Sequence, residues 1–138
     1  MQPKVVGVLE TSLYVDDMPR AVEFYDRLFA FSKMLSDDRI VAYNVSGRGV
    51  LLLFKKKGTT KPVALPGGIL PPHDGSGQYH MAFSITADAW DGWMERLRAQ
   101  GVIVESVFQW ESGGRSLYFR DPDGNLLELA TPGIWPIY

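Results

Sequence analysis

The chain contains no cysteine. Disulfides, thiolate metal sites and a cysteine nucleophile are excluded together, so any metal must be held through nitrogen and oxygen. An excess of positive charge is also missing: 14 Lys and Arg stand against 16 Asp and Glu, which argues against nucleic acid as a partner. The basic run Lys55-Lys56-Lys57 falls at an expected strand end, where lysines keep a sheet edge solvated and discourage pairing. No stretch approaches the roughly 18 consecutive apolar residues that a spanning helix needs, so no membrane partner is expected. The short apolar run from Val5 to Leu9 is cut by Glu10 and followed by no small-residue cleavage pattern. That points away from a secretory signal and toward a cytoplasmic location.

What is present suits one domain. A chain of 138 residues can bury roughly two-thirds of its unfolded surface without staples. Val6 to Val15 alternates as a strand, and Asp16-Asp17 offers a cap for an amphipathic helix from Met18 to about Phe29. Strands are expected at Lys33 to Leu35, Ile40 to Val45 and Val50 to Lys55, the last two joined through the turn Ser46-Gly47-Arg48-Gly49. Gly58 to Gln78 is rich in Gly and Pro and carries no periodicity, which predicts a long functional loop or linker. The same order then returns: a strand at Tyr79 to Ile85, a helix from Asp88 to Gln100, and strands at Val102 to Gln109, Arg115 to Arg120 and Leu126 to Ala130. The chain thus divides into a first module over about residues 6–56, a loop over 57–78 and a second module over about 79–132. Glu10 to Val15 lies over His80 to Ile85, and Gly49 to Leu52 lies over Asn125 to Glu128.

Strand parity sorts the side chains, because successive residues point to opposite faces. Leu13 and Val15 face the first helix, as Met81, Phe83 and Ile85 face the second. Glu10, His80 and Glu128 fall on the helix-free faces, beside the small residues Ser12, Ala82 and Ser84 that leave room for a ligand. Glu128, between Leu127 and Leu129, needs a partner on its face, since an unpaired buried charge costs several kcal/mol. A tyrosine donor or an arginine such as Arg120 would satisfy it; so would a metal.

The segments Leu13-Tyr14-Val15-Asp16-Asp17 into Ala21-Val22-Glu23-Phe24-Tyr25, then His80-Met81-Ala82-Phe83, then Asp121-Pro122-Asp123-Gly124-Asn125-Leu126-Leu127-Glu128-Leu129 resemble one known family. It is the glyoxalase, bleomycin-resistance protein and dioxygenase family, the vicinal oxygen chelate (VOC) superfamily. The resemblance implies an α+β fold of two βαβββ modules whose curled mixed sheets surround a cavity, often completed by a homodimer. It implies a divalent metal, Mn, Fe, Ni or Zn, at Glu10, His80 and Glu128, with Glu128 also the catalytic residue. A fourth ligand position falls on Leu52, which cannot coordinate, and Glu10 stands where three-ligand relatives generally carry histidine.

Two functions follow from that resemblance. One is a metal-assisted lyase- or dioxygenase-type enzyme acting on a small oxygen-bearing substrate. The other is a metal-free protein that sequesters an antibiotic or metabolite in the same cup, as bleomycin-resistance relatives do. Tyr14, Ser84, Tyr118 and Trp110 are the expected substrate contacts. His73, in the Gly/Pro-rich loop beside Asp74, is expected in solvent, and Trp90 with Trp93 in the core or at an interface. Asp121-Pro122-Asp123-Gly124 is expected to act as a turn.

Overall fold

The computed structural model describes residues 1–138, in two compact units, Met1–Ser76 and Gly77–Tyr138. In the first, β1 (Glu10–Val15) leads into α1 (Met18–Phe29), followed by β2 (Ser32–Ser36), β3 (Ile40–Val45) and β4 (Gly49–Lys55). The sheet order is β1-β4-β3-β2, with β1 parallel to β4 and the other neighbours antiparallel. Asp17 caps α1, its Oδ1 accepting from the Arg20 N–H at 3.1 Å, and Pro19 occupies the first turn, where its missing N–H costs nothing. The helix ends at Ala30, whose left-handed backbone (φ 55°) lets its N–H reach the Asp26 carbonyl.

The second unit repeats the pattern. Here β7 (His80–Ser84) precedes a short 3-10 turn (Ala87–Ala89) and α2 (Trp90–Ala99), and then β8 (Ser106–Gln109), β9 (Arg115–Arg120) and β10 (Leu126–Ala130). Its sheet order is β7-β10-β9-β8, with β7 parallel to β10. Leu117, Phe119, Leu127 and Leu129 are fully buried on the core face, each such burial contributing about 1.5–3 kcal/mol. Both units are therefore βαβββ modules, and the chain is an α+β protein with two helices and curled mixed sheets. No helix is long and apolar enough to cross a membrane.

Three boundaries differ from the sequence expectations. Residues 6–9 are not strand; their carbonyls and amides find no ladder beyond Leu9, whose carbonyl accepts from the Val50 N–H, and Val5, Val6, Val8 and Leu9 stay exposed. The segment 58–78 is not structureless, because Val63–Leu65 (β5) and Gly68–Leu70 (β6) pair as a hairpin through Pro66-Gly67. Three residues per strand are too few for a period to show, although Pro-Gly is itself a turn signal. Finally, β8 begins at Ser106, since residues 102–105 make no ladder apart from the Glu105 N–H to the Tyr118 carbonyl.

Candidate functional site

The turn between β9 and β10 fixes the second-unit site. Asp121 Oδ1 accepts from the amides of Asp123 and Asn125, both at 2.9 Å, and Oδ2 accepts from Asn125 Nδ2. The Asn125 amide oxygen in turn accepts from the Tyr79 N–H at 2.8 Å. One buried acid thereby shapes the turn and, through Asn125, ties it to the residue before His80. In the resulting register Leu126 lies opposite His80, and Glu128 lies opposite both Ala82 and Tyr118.

On the face away from α2, a cavity of about 460 Å3 is lined by His80, Ser84, Trp110, Tyr118 and Glu128, and by Ile134, Trp135 and Tyr138 of the C-terminal segment. Glu128 is only 7% exposed. Its Oε2 accepts from the Ser116 hydroxyl at 2.5 Å, and that hydroxyl oxygen accepts from Trp110 Nε1 at 2.9 Å. An indole can only donate, so the single Ser116 proton is committed to the carboxylate. Arg120 is not the partner of Glu128. It pairs with Glu105 at 2.8 Å and donates to the Gly124 carbonyl, which holds the Glu105 carboxyl below its usual range.

The other carboxylate oxygen faces His80, with Oε1 3.2 Å from Nε2. His80 Nδ1 lies 2.8 Å from the Leu126 carbonyl, which can only accept, so Nδ1 carries a proton. In the neutral ring Nε2 is then a bare lone pair opposite a carboxylate oxygen. A divalent ion between these two acceptors would satisfy both, as would one proton shared between them. An imidazole whose remote N–H is fixed by a backbone carbonyl is also the usual arrangement of a metal-ligating histidine. The donor set therefore fits a metal. It is incomplete by itself, as no three His, Asp or Glu side chains gather as a metal-holding group.

Tyr118 is half-buried beside this pair, its ring 6.3 Å from that of His80. Burial, reinforced by the Glu128 charge, pushes its hydroxyl above the ordinary tyrosine value despite the opposing Ser116 hydrogen bond. Its hydroxyl also hydrogen-bonds to Glu128, so a tyrosine is among the partners of that carboxylate.

The remaining sequence candidates lie in the first unit. Glu10 lines a cavity of about 570 Å3 with Ile40, Leu52 and Phe54. Tyr14 stacks on Phe54 and its hydroxyl lies 2.7 Å from His73 Nδ1. His73 is thus not simply solvated: its ring also meets Phe54 edge-on at 4.6 Å, because the hairpin β5–β6 brings the segment back over the sheet. Trp90 is buried under the Arg115 guanidinium, 4.2 Å above its ring, and Trp93 is partly covered. Sequence reasoning missed Ser116 and the C-terminal residues 134, 135 and 138. The first could have been found from strand parity, since it shares the face of Tyr118.

The profile of the Glyoxalase/Bleomycin resistance protein/Dioxygenase superfamily matches residues 7–129. Among curated relatives, the metallothiol transferase FosB of Shouchella clausii is 28% identical over 129 residues, covering 92% of this chain and 81% of its own. Among solved structures, a lactoylglutathione lyase from Agrobacterium tumefaciens superposes with a TM-score of 0.87 at 31% identity, covering 97% and 99% of the two chains. The fosfomycin resistance protein FosX of Listeria monocytogenes, solved with Mn(II) and sulfate, shares the fold at a TM-score of 0.70 and 22% identity, over 95% and 94%. With the two βαβββ modules and a profile match across most of its length, the chain belongs to the glyoxalase, bleomycin-resistance protein and dioxygenase superfamily.

Proposed function

We propose that the chain is a metal-dependent enzyme that binds a small oxygen-bearing substrate at His80 and Glu128 and performs lyase- or thiol-transferase-type chemistry. The observation that carries this reading is the pair itself, a carbonyl-locked imidazole whose Nε2 faces a buried carboxylate oxygen at 3.2 Å. Glu10 would be the third protein ligand, as the family resemblance implies. A divalent ion held by these residues would supply Lewis acidity to a substrate oxygen. Oxygen and nitrogen ligands suit Mn, Fe, Ni or Zn.

The protein residues do the remaining work. Ser116 and Trp110 hold Glu128 with one oxygen spent, so the other is presented in a fixed direction. Tyr118, hydrogen-bonded to Glu128, lines the cavity together with Ser84 and the ring of Trp110. Glu128 could act as a general base only when its Oε1 is released from the metal or from His80. Relatives named metallothiol transferase and lactoylglutathione lyase both handle thiol-derived groups by name. Because this chain has no cysteine, the thiol would arrive as a cosubstrate, which suits the cytoplasm, where small thiols are kept reduced. A dioxygenase-type reaction would instead show oxygen consumption with a redox-active metal.

One observation favours a second reading. A proton on His80 Nε2 satisfies Glu128 as well as a metal does, leaving a largely apolar cup for sequestration. Metal content after supplementation with Mn, Fe, Ni and Zn separates the two, measured on wild type and on Glu128→Ala. The enzyme reading expects near-stoichiometric metal in wild type and at least about tenfold weaker binding in the variant. If neither protein retains metal, and a ligand binds equally well in chelator, the sequestration reading replaces it.

A further inference from the structure

The duplicated register shows what the first unit has given up. Ser12 pairs with Leu52 and Ala42 with Leu52, as Ala82 pairs with Glu128 and Tyr118 with Glu128. Leu52 therefore stands where Glu128 stands, Ala42 where Tyr118 stands, and Ile40 where Ser116 stands. The position of His80 is taken by Glu10. Glu128, Tyr118 and Ser116 all have apolar counterparts, while Tyr14 stands where Ser84 stands, so the matching sheet face of the first module is largely apolar.

That surface is roofed by the hairpin that sequence periodicity missed. Val63, Leu65 and Leu70 line the cavity of about 570 Å3 together with Ile40, Leu52 and Phe54. A volume of this size accepts a small organic molecule. Its polar lining is Glu10, Arg39, Thr59, Lys61 and His73, two permanent cations against one carboxylate. Neither the Arg39 guanidinium nor the Lys61 ammonium is spent in an ion pair.

His73 is held in place. Its N–H donates to the Thr59 carbonyl at 2.9 Å and its carbonyl accepts from the Thr59 hydroxyl, which closes the base of the hairpin segment. The Tyr14 hydroxyl lies 2.7 Å from Nδ1, and in the tautomer where it donates there, Nε2–H is a third donor.

We propose that the first-unit cavity binds a small organic carboxylate, its anion received by Arg39, Lys61 and His73 and its short apolar body by Ile40, Leu52, Phe54 and the hairpin. Charge-assisted hydrogen bonds to a carboxylate at an apolar wall are the strong kind. The inference rests on the proposed function only in taking the occupant for a substrate, because Glu10 lines this cavity. Binding of the carboxylate itself needs no metal.

The chain has two histidines, so imidazole NMR signals report the two cavities separately, His73 for the first and His80 for the second. Hexanoate titrated into the protein in chelator should shift the His73 signal saturably, while hexylamine leaves it unmoved. The exposed double variant Arg39→Gln with Lys61→Gln should weaken hexanoate by at least about tenfold, a loss near 1.4 kcal/mol. An equal response to 1-hexanol, a response confined to His80, or no His73 response overturns the proposal. Subsequent addition of Zn tests the other reading independently: if His80 ignores Zn while His73 still answers hexanoate, the metal enzyme falls and the carboxylate site stands.

Discussion

The Ser116 hydroxyl donates to Glu128 Oε2 across 2.5 Å, and it has no second proton to give elsewhere because Trp110 already fills its acceptor side. The three groups form a one-way chain that ends on a carboxylate only 7% exposed. Its effect is to spend Oε2 and leave Oε1 for His80.

Ser116→Ala breaks that chain in the middle, leaving a buried carboxylate oxygen and an indole N–H without partners. We expect a stability loss of about 1–3 kcal/mol and, because the carboxylate is no longer aimed, roughly 10–100-fold weaker metal binding. Trp110→Phe keeps an aromatic face but removes the N–H together with part of the indole, so it should weaken metal binding less than Ser116→Ala and cost stability through lost packing on Phe108. Denaturant midpoints and metal titrations on both variants check the order. If Ser116→Ala binds metal as wild type does, the relay has no orienting role.

Tyr43 makes stability sensitive to alkaline pH. Burial first, and then the hydrogen bond from its hydroxyl to Asp26 Oδ1 at 2.9 Å and the charge of Asp26, push its pKa far above the ordinary 10.0. Asp26 is itself fixed by Lys33, 2.8 Å from its other oxygen. Below the ordinary value folded and unfolded chains both hold the proton, so the contribution is fully present. Above it the unfolded chain releases the proton while the folded chain keeps it, and stability declines as pH climbs toward the folded value. Tyr118, raised by burial, acts in the same direction. Tyr43→Phe should cost about 0.5–1.5 kcal/mol at neutral pH and flatten the decline above pH 10, measured as denaturant midpoint against pH. An unchanged alkaline slope would assign the effect to other groups.

The modules were legible because strand pattern and capping are local. Met18 to Phe29, Ile40 to Val45, Arg115 to Arg120 and Leu126 to Ala130 keep their expected bounds, each marked by a cap, a turn or an alternating run. The neighbourhood of Glu128 was legible only in part. His80 could be placed on its face by counting in twos, and the same count puts Ser116 on the face of Tyr118, but parity alone does not say that its hydroxyl would meet a carboxylate twelve residues downstream on the neighbouring strand. His73 was missed for a different reason. Its engagement with Tyr14 and Phe54 depends on a hairpin of three-residue strands, too short for periodicity to announce. Residues 6–9 alternate like a strand yet find no ladder within their own unit, since alternation describes a face and says nothing of a neighbour.

The C-terminal segment closes the second-unit cavity through two glycines that touch. A Cβ at Gly114 would lie 2.8 Å from the Gly133 carbonyl carbon, the Pro132 carbonyl oxygen and Ile134 Cγ1, two of them backbone atoms that cannot rotate aside. The Gly114 N–H donates to the Gly133 carbonyl at 3.1 Å, and beyond it Ile134, Trp135 and Tyr138 line the site, with the Tyr138 hydroxyl donating to the Ile85 carbonyl at 2.7 Å. Gly114→Ala must therefore push the segment away from β9, at a cost of about 1–3 kcal/mol. It should also widen the cavity on the side away from Glu128. Gly92→Ala is the matching control: a Cβ there meets nothing within 4 Å, and in the interior of α2 the change should stabilise by about 0.5–1 kcal/mol. Protease trimming of the last residues and quenching of Trp135 fluorescence should both rise in Gly114→Ala and stay at the wild-type level in Gly92→Ala. If His80 and Glu128 hold a metal as proposed, its binding should survive the first substitution while affinity for a substrate or inhibitor falls. Loss of both together would mean that the segment supports the whole sheet rather than only the cavity rim.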